Sequence, residues 1–468
     1  MTRIAVVGAG ISGLATAHFL RQGLSAAGAG AELTVFEAGR EPGGTMRTAR
    51  EQGFFMEWGP NGFLTNKPAT LELVRELGCE GRLLSSSSLA RKRYVFSGGR
   101  MHRLPEAPPA FLRSQLLSWS GRLRVMAEPF APGPPPDRDE SVAEFARRRL
   151  GAQAMERLIE PMCAGVFAGD PDQLSLRSCF PRIHELESRY GGLIKAMLSL
   201  RWERRKAASR PAMSAGPGGV LTSFDTGVQA LVEVLAGRCA AELRLGAEVA
   251  SVTRRDGRFR LAVKASGQVS ECEADAVIVS APAYAASGLL RGLDAELGAE
   301  LDRIPYAPIT VAALGYDAAA LRNPLDGFGF LVPRLEGRRI LGALWDSSVF
   351  PGRAPQGRAL IRVMVGGARQ PDLARLPAEE LLALVRAELR ELMGITAEPL
   401  LERVFFHGRG IPQYRVGHGR LLERTQARLA AWPGLHLNSN AYRGVSLNDC
   451  VLQSRLCAQS VLKGLGQT

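Results

Sequence analysis

Lysine is scarce, supplying only six of the 59 basic residues; the rest are arginines. The formal charge of +13 at pH 7 would ordinarily point to nucleic acid or an anionic surface as partner. Yet no basic run interleaves with aromatics and no DNA- or RNA-binding motif is present, which excludes nucleic acid. Cysteine pairs are missing too. The seven cysteines are scattered, none stands in a CxxC pair, and an odd number argues against a disulfide framework; no metal is expected either. Cys450 and Cys457 fall on one face of a predicted helix and read as core. No apolar run reaches the roughly 18 residues of a spanning helix. A glycine fingerprint starting at residue 4 leaves no room for a leader, so the expected location is the cytoplasm, free or against a membrane. The length of 468 residues accommodates roughly three domains.

What is present begins at once. Ile4 to Gly13 reads IAVVGAGISG, an apolar strand breaking into GxGxxG and then a helical pattern, the context a dinucleotide-binding turn requires. Gly8 permits the tight turn, Gly10 lets amides approach a pyrophosphate, and Gly13 lets helix and strand pack closely, with Ala9, Ile11 and Ser12 completing the cradle. A second strand, Glu32 to Phe36, ends in Glu37-Ala38, where a carboxylate holds ribose hydroxyls. The bland alternative is a plain glycine turn. The Gly43-Gly44 doublet brings further backbone to the phosphates, which a nicotinamide site seldom needs, and so points to a flavin. Gly59-Pro60-Asn61-Gly62 is a turn with one amide side chain free to face a ligand. Near the C-terminus a strand and polar loop lead into a helix expected from about Val445, through Ser446 and Leu447. Its start would stabilise negative charge on a reduced flavin, unless this is an ordinary strand-to-helix connection.

Two insertions interrupt the nucleotide segments. Residues 90–210 are helical in pattern and Arg-rich, with a Pro-rich turn at Ala131 to Asp137. Residues 265–430 mix strands (Ile309 to Gly315, Gly329 to Val332, Ile340 to Trp345, Ala359 to Val365) with a helix from Ala378 to Leu392, as suits a sheet covering a pocket. Ala274 to Ser280 reads as a buried strand leaving the nucleotide domain.

Eight stretches occur in order: EWGPNGF, RYVFSGGRMHRLP, GVFAGDPDQLS, GFGFLVP, LGALWDSSVFP, VMVGGARQP, IPQY..GH and GVSLNDC. On these the chain resembles the protoporphyrinogen oxidase family, oxygen-dependent FAD enzymes of haem synthesis within the amine-oxidase superfamily. The resemblance implies an α/β + α fold: a Rossmann-like FAD domain built from discontinuous segments, a mixed-sheet substrate domain and a helical membrane-docking insertion. The boundaries read as 1–88 (FAD), 89–210 (helical, membrane-binding), 211–264 (FAD and crossing segments), 265–430 (substrate) and 431–468 (FAD).

The reaction implied removes six electrons and six protons from a colourless tetrapyrrole in three rounds, each returning a flavin to oxygen with release of peroxide. Arg93 matches the arginine that pairs with a propionate, although within ARKRY it also reads as one exposed cation of three. The Gly165, Ala168 and Gly169 loop matches one whose carbonyls accept pyrrole N–H groups; the competing reading is a helix-ending turn. Leu331, Leu344 and Met364 match apolar walls around the macrocycle, or are simply core. Asn61 is the candidate for orienting substrate or for hydrogen-bonding beside the flavin, with a plain turn residue as the competing reading, Val249 joins the cofactor set, and no certain acid or base is expected. The chain departs from the superfamily at Glu41-Pro42, at Ser439-Asn440 and at His407, which stands where relatives place a tryptophan near the flavin. One non-covalent FAD is expected, since no cysteine lies in the IPQY segment or in Leu437 to Tyr442. Phe111-Leu112, Leu116-Leu117, Trp119 and Met126 among Arg113, Arg122 and Arg124 suggest membrane docking, or a face packed on its own domain. Further implied partners are ferrochelatase, by product hand-over, and a second copy of the chain. Competing functions are coproporphyrinogen III oxidation, amine or carotenoid oxidation, and a non-catalytic porphyrin-holding flavoprotein.

Overall fold

The computed structural model describes residues 1–106, 108–134, 138–206, 219–239 and 242–466. Its centre is a five-stranded parallel sheet in the order Leu243–Leu245, β2 (Ala31–Glu37), β1 (Thr2–Val7), Ala276–Val279 and Leu435–Leu437. β1 is central because it is apolar on both faces. Ile4 and Val6 pack with helix α1 (Ile11–Ala26) and the C-terminal helix Leu447–Gly464; Ala5 and Val7 point the other way, to the antiparallel meander Ala247–Arg255, Arg258–Ala265 and Gln268–Ala274. The chain ends are locked together through buried Asn438, whose Nδ2 donates to Thr16 Oγ1 at 2.8 Å and Ser454 Oγ at 3.0 Å.

A second, mixed sheet has seven strands in the order Leu401–Pro412, Tyr306–Asp317, Arg358–Gly366, Gly342–Leu344, Gly329–Leu331, Arg93–Ser97 and Arg100–Arg103, with helix Ala378–Met393 packed on it. Two boundaries need correction. Arg93–Ser97 lies inside the stretch read as a helical insertion, yet it pairs parallel to Gly329–Leu331 and belongs to this sheet; period-2 Tyr94 and Phe96 carried that signal. Likewise Gln268–Ala274 and Ala276–Val279 lie beyond 265 but belong with the parallel sheet. The boundary at 210/211 and residues 135–137 of the Pro-rich turn lie outside the described residues.

Helices Val142–Leu150, Glu160–Phe167, Pro181–Tyr190 and Leu193–Lys206 form the remaining layer. Leu116 and Leu117, expected on its outer face, are buried, and Arg122 is tucked over the Trp119 ring, its guanidinium bonded to the Leu112 carbonyl. The apolar residues that do face outward include Leu112, as expected, together with Trp119, Leu123, Met126, Phe130 and Val166, and Met197, Leu198 and Trp202 on the last helix. Among the described residues no helix is long and apolar enough to cross a membrane.

This layer is organised around Arg149, fully buried, whose Nε lies 2.5 Å from Glu187 and whose Nη1 lies 3.5 Å from Glu128. Removing one partner of such a cluster leaves uncompensated buried charge. Arg149→Ala should therefore destabilise the protein by about 3 kcal/mol, seen as a lower urea midpoint and faster proteolysis within 181–206. An unchanged midpoint would show that the cluster contributes nothing to stability.

Candidate functional site

The first turn after β1 is shaped by three glycines with different constraints. Gly8 adopts φ +103° and its amide donates to the Phe36 carbonyl at 2.7 Å. A Cβ on Gly13 would stand 1.8 Å from the Gly8 carbonyl oxygen, so only glycine lets α1 sit this close to the strand. A Cβ on Gly10 would meet nothing within 4 Å. Gly10 is also the N-cap of α1 and supplies no side-chain cap, leaving the first amides, including those of Ile11 and Ser12, at an uncapped positive helix end. Gly43 closes the cradle, its amide donating to the Ala9 carbonyl at 2.8 Å, and Gly44 lies against Gly10. At the end of β2 the Glu37 carboxylate accepts from the amides of Ala9 and Gly39, each at 2.8 Å, with Ala38 exposed beside it. An uncapped helix end, an open glycine floor and a fixed carboxylate fit a dinucleotide.

Val249 is placed differently. Its side chain is buried in the meander core at a register shift, so only its backbone remains for a ligand. His407 stands on Leu401–Pro412 with Nε2 2.9 Å from the Trp58 carbonyl, bracing the chain just before Gly59.

A cleft of about 1690 Å³ opens between Pro60, Asn61 and Gly62 on one side and Val445, Ser446 and Leu447 on another, with Phe167 and Phe328 in its wall. The C-terminal helix begins at Leu447, slightly later than expected, because Ser446 is its N-cap and accepts from the Asp449 amide at 3.2 Å. Asp449 already occupies that helix end and is paired with Lys67 at 2.6 Å, which weakens the expectation of a bare helix start facing the flavin. Asn61 donates through Nδ2 to Asp346 at 3.3 Å, and its Oδ1 is shielded from solvent with no hydrogen-bond partner.

Strand register brings the expected substrate residues together. Arg93, Gly329, Leu344 and Arg362 are successive partners across four strands; Val95, Leu331, Gly342 and Met364 form the next row on the same face. Leu331, Leu344 and Met364 are half-buried amid fully buried neighbours. Arg93 is exposed, lies 5.2 Å over the Phe328 ring and has no carboxylate partner among the described residues, whereas neighbouring Lys92 is paired with Asp326 at 2.9 Å.

The Gly165 to Gly169 stretch is a helix-ending turn. Gly165 sits in the last turn of Glu160–Phe167 with Leu331 beneath it, and Ala168 is left-handed at φ +46°. Two of its carbonyls are already engaged, Phe167 by Gln413 Nε2 and Ala168 by the Ala368 amide, both at 2.7 Å; Gly169 abuts Gln413. Arg369 clamps the turn through Glu160 at 3.0 Å and Asp170 at 2.6 Å. Burial pushes the Glu160 carboxyl up, while Asp170, also raised by burial, is held below its ordinary value by Arg369. Sequence reasoning missed Asp346, Arg362, Arg369 and Gln413, although three of them lie within the motifs that carried the resemblance.

Gly10→Val should leave the fold intact and remove most of the bound dinucleotide, since the added methyls enter open space. Gly13→Ala should lower the melting temperature, because backbone must move. Equal nucleotide content in Gly10→Val and the parent protein would exclude this cradle as the binding site.

Comparison with known proteins agrees with this geometry. The family model for flavin-containing amine oxidoreductases matches residues 11–462. The chloroplastic protoporphyrinogen oxidase of Oryza sativa subsp. japonica is 33% identical over 463 residues, covering 95% of this chain and 85% of the relative. The coproporphyrinogen III oxidase of Bacillus subtilis (strain 168) is 29% identical over 469 residues, covering 98% and 97%. The crystal structure of a candidate protoporphyrinogen oxidase from Exiguobacterium sp. 255-15 superposes with a TM-score of 0.83 at 28% identity, covering 99% of each chain. A dinucleotide cradle, a cleft beside it and a match over nearly the whole chain lead to one assignment: the protein belongs to the flavin-containing amine oxidoreductases, and its cofactor is FAD.

Proposed function

We propose that this protein oxidises a porphyrinogen to the porphyrin, with protoporphyrinogen IX as the substrate and oxygen as the final acceptor, in three two-electron rounds that release hydrogen peroxide. The observation that carries this reading is the shared sheet face: Arg93, exposed and without a carboxylate partner among the described residues, beside the apolar side chains of Leu331, Leu344 and Met364. When bound, the non-covalent FAD supplies a hydride acceptor. The protein's own contribution is orientation. Arg93 takes a propionate through its planar fork, the three apolar side chains keep the ring system dry, and the last-turn carbonyls of Gly165 and Val166, which lack intrahelical partners, are offered to pyrrole N–H groups.

The alternative substrate is coproporphyrinogen III, with four propionates. It is favoured by the likeness to the Bacillus enzyme and by Arg177, Arg420 and Arg443, which line the cleft without an ion-pair partner among the described residues. Anaerobic mixing tests the whole reading: a porphyrinogen should bleach the flavin within one turnover, and a yellow protein that stays yellow is a carrier. Porphyrin fluorescence and peroxide yield with each porphyrinogen then rank the two substrates.

The outward apolar set around Trp119, Phe130 and Trp202 supports peripheral attachment to the cell membrane from the cytoplasmic side. Hand-over of product to ferrochelatase and a homodimer complete the proposed setting. Trp202→Ser combined with Phe130→Ser should reduce sedimentation with anionic vesicles without altering flavin content; equal sedimentation would remove the docking proposal.

Arg93→Ala should cost a charge-assisted contact of about 1.5–3 kcal/mol, raising KM by roughly ten- to a hundredfold while the melting temperature and flavin content hold. Arg93→Lys should restore part of that loss, since a point charge lacks the two-pronged geometry. Unchanged kinetics would return Arg93 to an ordinary surface cation.

A further inference from the structure

The turn carrying Asn61 is held from beneath by two fully buried side chains of the seven-stranded sheet region. Arg362 Nη1 donates to the carbonyls of Glu57 at 2.9 Å and Gly59 at 3.3 Å, fixing the backbone on the approach to Pro60. The same guanidinium grips Asp346 with two nitrogens, Nε to Oδ2 and Nη2 to Oδ1, the latter at 3.2 Å. Asp346 Oδ1 in turn accepts from Asn61 Nδ2 at 3.3 Å. A carboxylate locked by Arg362 offers only acceptors, so the amide of Asn61 must present its NH2 to Asp346 and its oxygen elsewhere. That oxygen is screened from solvent and unpartnered, on a residue that lines the cleft.

We propose that Asp346 is a positioning residue: locked by Arg362, it sets the side-chain amide of Asn61 so that Oδ1 is kept as an acceptor for an N–H group of the molecule in the cleft. Two such N–H donors are available, a ring N–H of the flavin or a pyrrole N–H of the substrate, and the second rests on the porphyrinogen reading above. A buried acceptor left unfilled costs stability, and because protein atoms alone screen Oδ1 the contact requires the atoms over it to move aside as the ligand enters. Asp346 and Arg362 touch no ligand themselves in this scheme; they act through Asn61.

The test is a double-mutant cycle on the flavin-loaded protein with Asp346→Asn, Asn61→Ala and both together. Asp346→Asn lets either amide flip, and misplacement of one contact should lower kcat by roughly tenfold or more with KM changed far less. In the Asn61→Ala background the same change should have less than about a twofold effect. Equal factors in both backgrounds, in kcat and in the flavin measurements below alike, would overturn the proposal and leave Asp346 as a structural residue.

Flavin absorption bands and FAD affinity, measured without substrate, separate the two donors and survive failure of the porphyrinogen reading. Non-additive changes there assign the contact to the flavin; non-additivity confined to kcat assigns it to the substrate; additivity in both refutes the relay. Should Asp346→Asn fail to fold, Asn61→Asp supplies an independent readout. A carboxyl beside Asp346 imitates the amide only while protonated, so the FAD affinity of Asn61→Asp should fall with rising pH, relative to the parent protein, if Asp346 faces it. A pH profile parallel to the parent's would overturn the relay.

Discussion

Four buried charges at the junction of the two sheets govern the geometry of everything around the cleft. Glu57 and Asp346 are 0% exposed, Arg353 1% and Arg362 2%. Glu57 comes from the strand leading to the Gly59 to Gly62 turn, and the other three from the segments that build the second sheet, so the Glu57–Arg353 pair crosses between them, and Arg362, paired with Asp346 on its own side, reaches across to the Glu57 and Gly59 carbonyls. Burial pushes the Glu57 carboxyl up, and it is opposed by Arg353 at 2.9 Å, the Thr48 hydroxyl at 2.6 Å and the Val228 amide at 3.0 Å. Such an arrangement contributes little net stability compared with apolar packing, yet it tolerates almost no displacement, because a charge pulled from its partner stays uncompensated. Its consequence is positional: the turn bearing Asn61 cannot drift relative to the strand bearing Met364.

That fixed junction faces a floor designed by omission. Gly329 and Gly342 sit between Arg93, Leu344, Leu331 and Met364 on one sheet face, and a Cβ at either would lie within 2.3 Å of a neighbouring carbonyl oxygen, 2.0 Å at Gly329. Side chains are therefore excluded from the middle of the face and retained around its edge. A flat, apolar ligand suits such a floor better than a branched one, and the exposed guanidinium of Arg93 at its edge breaks the near-symmetry of its orientation. With hydride chemistry delegated to a cofactor, shape of this kind is what the protein has to provide.

The cofactor half was legible because its constraints are local: GxGxxG, Glu37 and the Gly43-Gly44 doublet each announce themselves within a few residues. Apolar patterning likewise located the helices Ile11–Ala26, Ala378–Met393 and Leu447–Gly464 and the strands between Ile309 and Val365. What escaped was long-range. Asp346 and Arg362 look like ordinary charges in a strand-rich stretch, and only the fold sets them beneath Asn61, 285 positions away in the chain for Asp346. Leu116 and Leu117 stood between a docking face and a face packed on its own domain, because an amphipathic pattern says that one face is buried but not against what; the fold selects the second for these two. Arg93–Ser97 was absorbed into a helical insertion because its sheet partner, Gly329–Leu331, lies far along the chain. The carbonyls of Phe167 and Ala168 looked free in sequence and are engaged by Gln413 and Ala368, contacts no spacing could reveal.

The same division bears on substrate choice. Arg362 and Asp346, which hold the Asn61 turn, are buried and mutually dependent; on the proposed reading they and the sheet face constrain the ring system common to both porphyrinogens and say nothing about how many carboxylates it carries. On the same reading carboxylates project from the ring edge towards solvent, where Arg93 stands exposed on the sheet and Arg177, Arg420 and Arg443 stand exposed along the cleft. A pair at such a site is weak and salt-screened when singly made, but several made together by one rigid macrocycle share a single loss of rotational and translational freedom. Discrimination between two and four propionates then grows with the number of edge arginines engaged at once and falls with ionic strength. On the proposed reading, that discrimination resides in exposed side chains at the rim rather than in the buried junction that fixes the Asn61 turn.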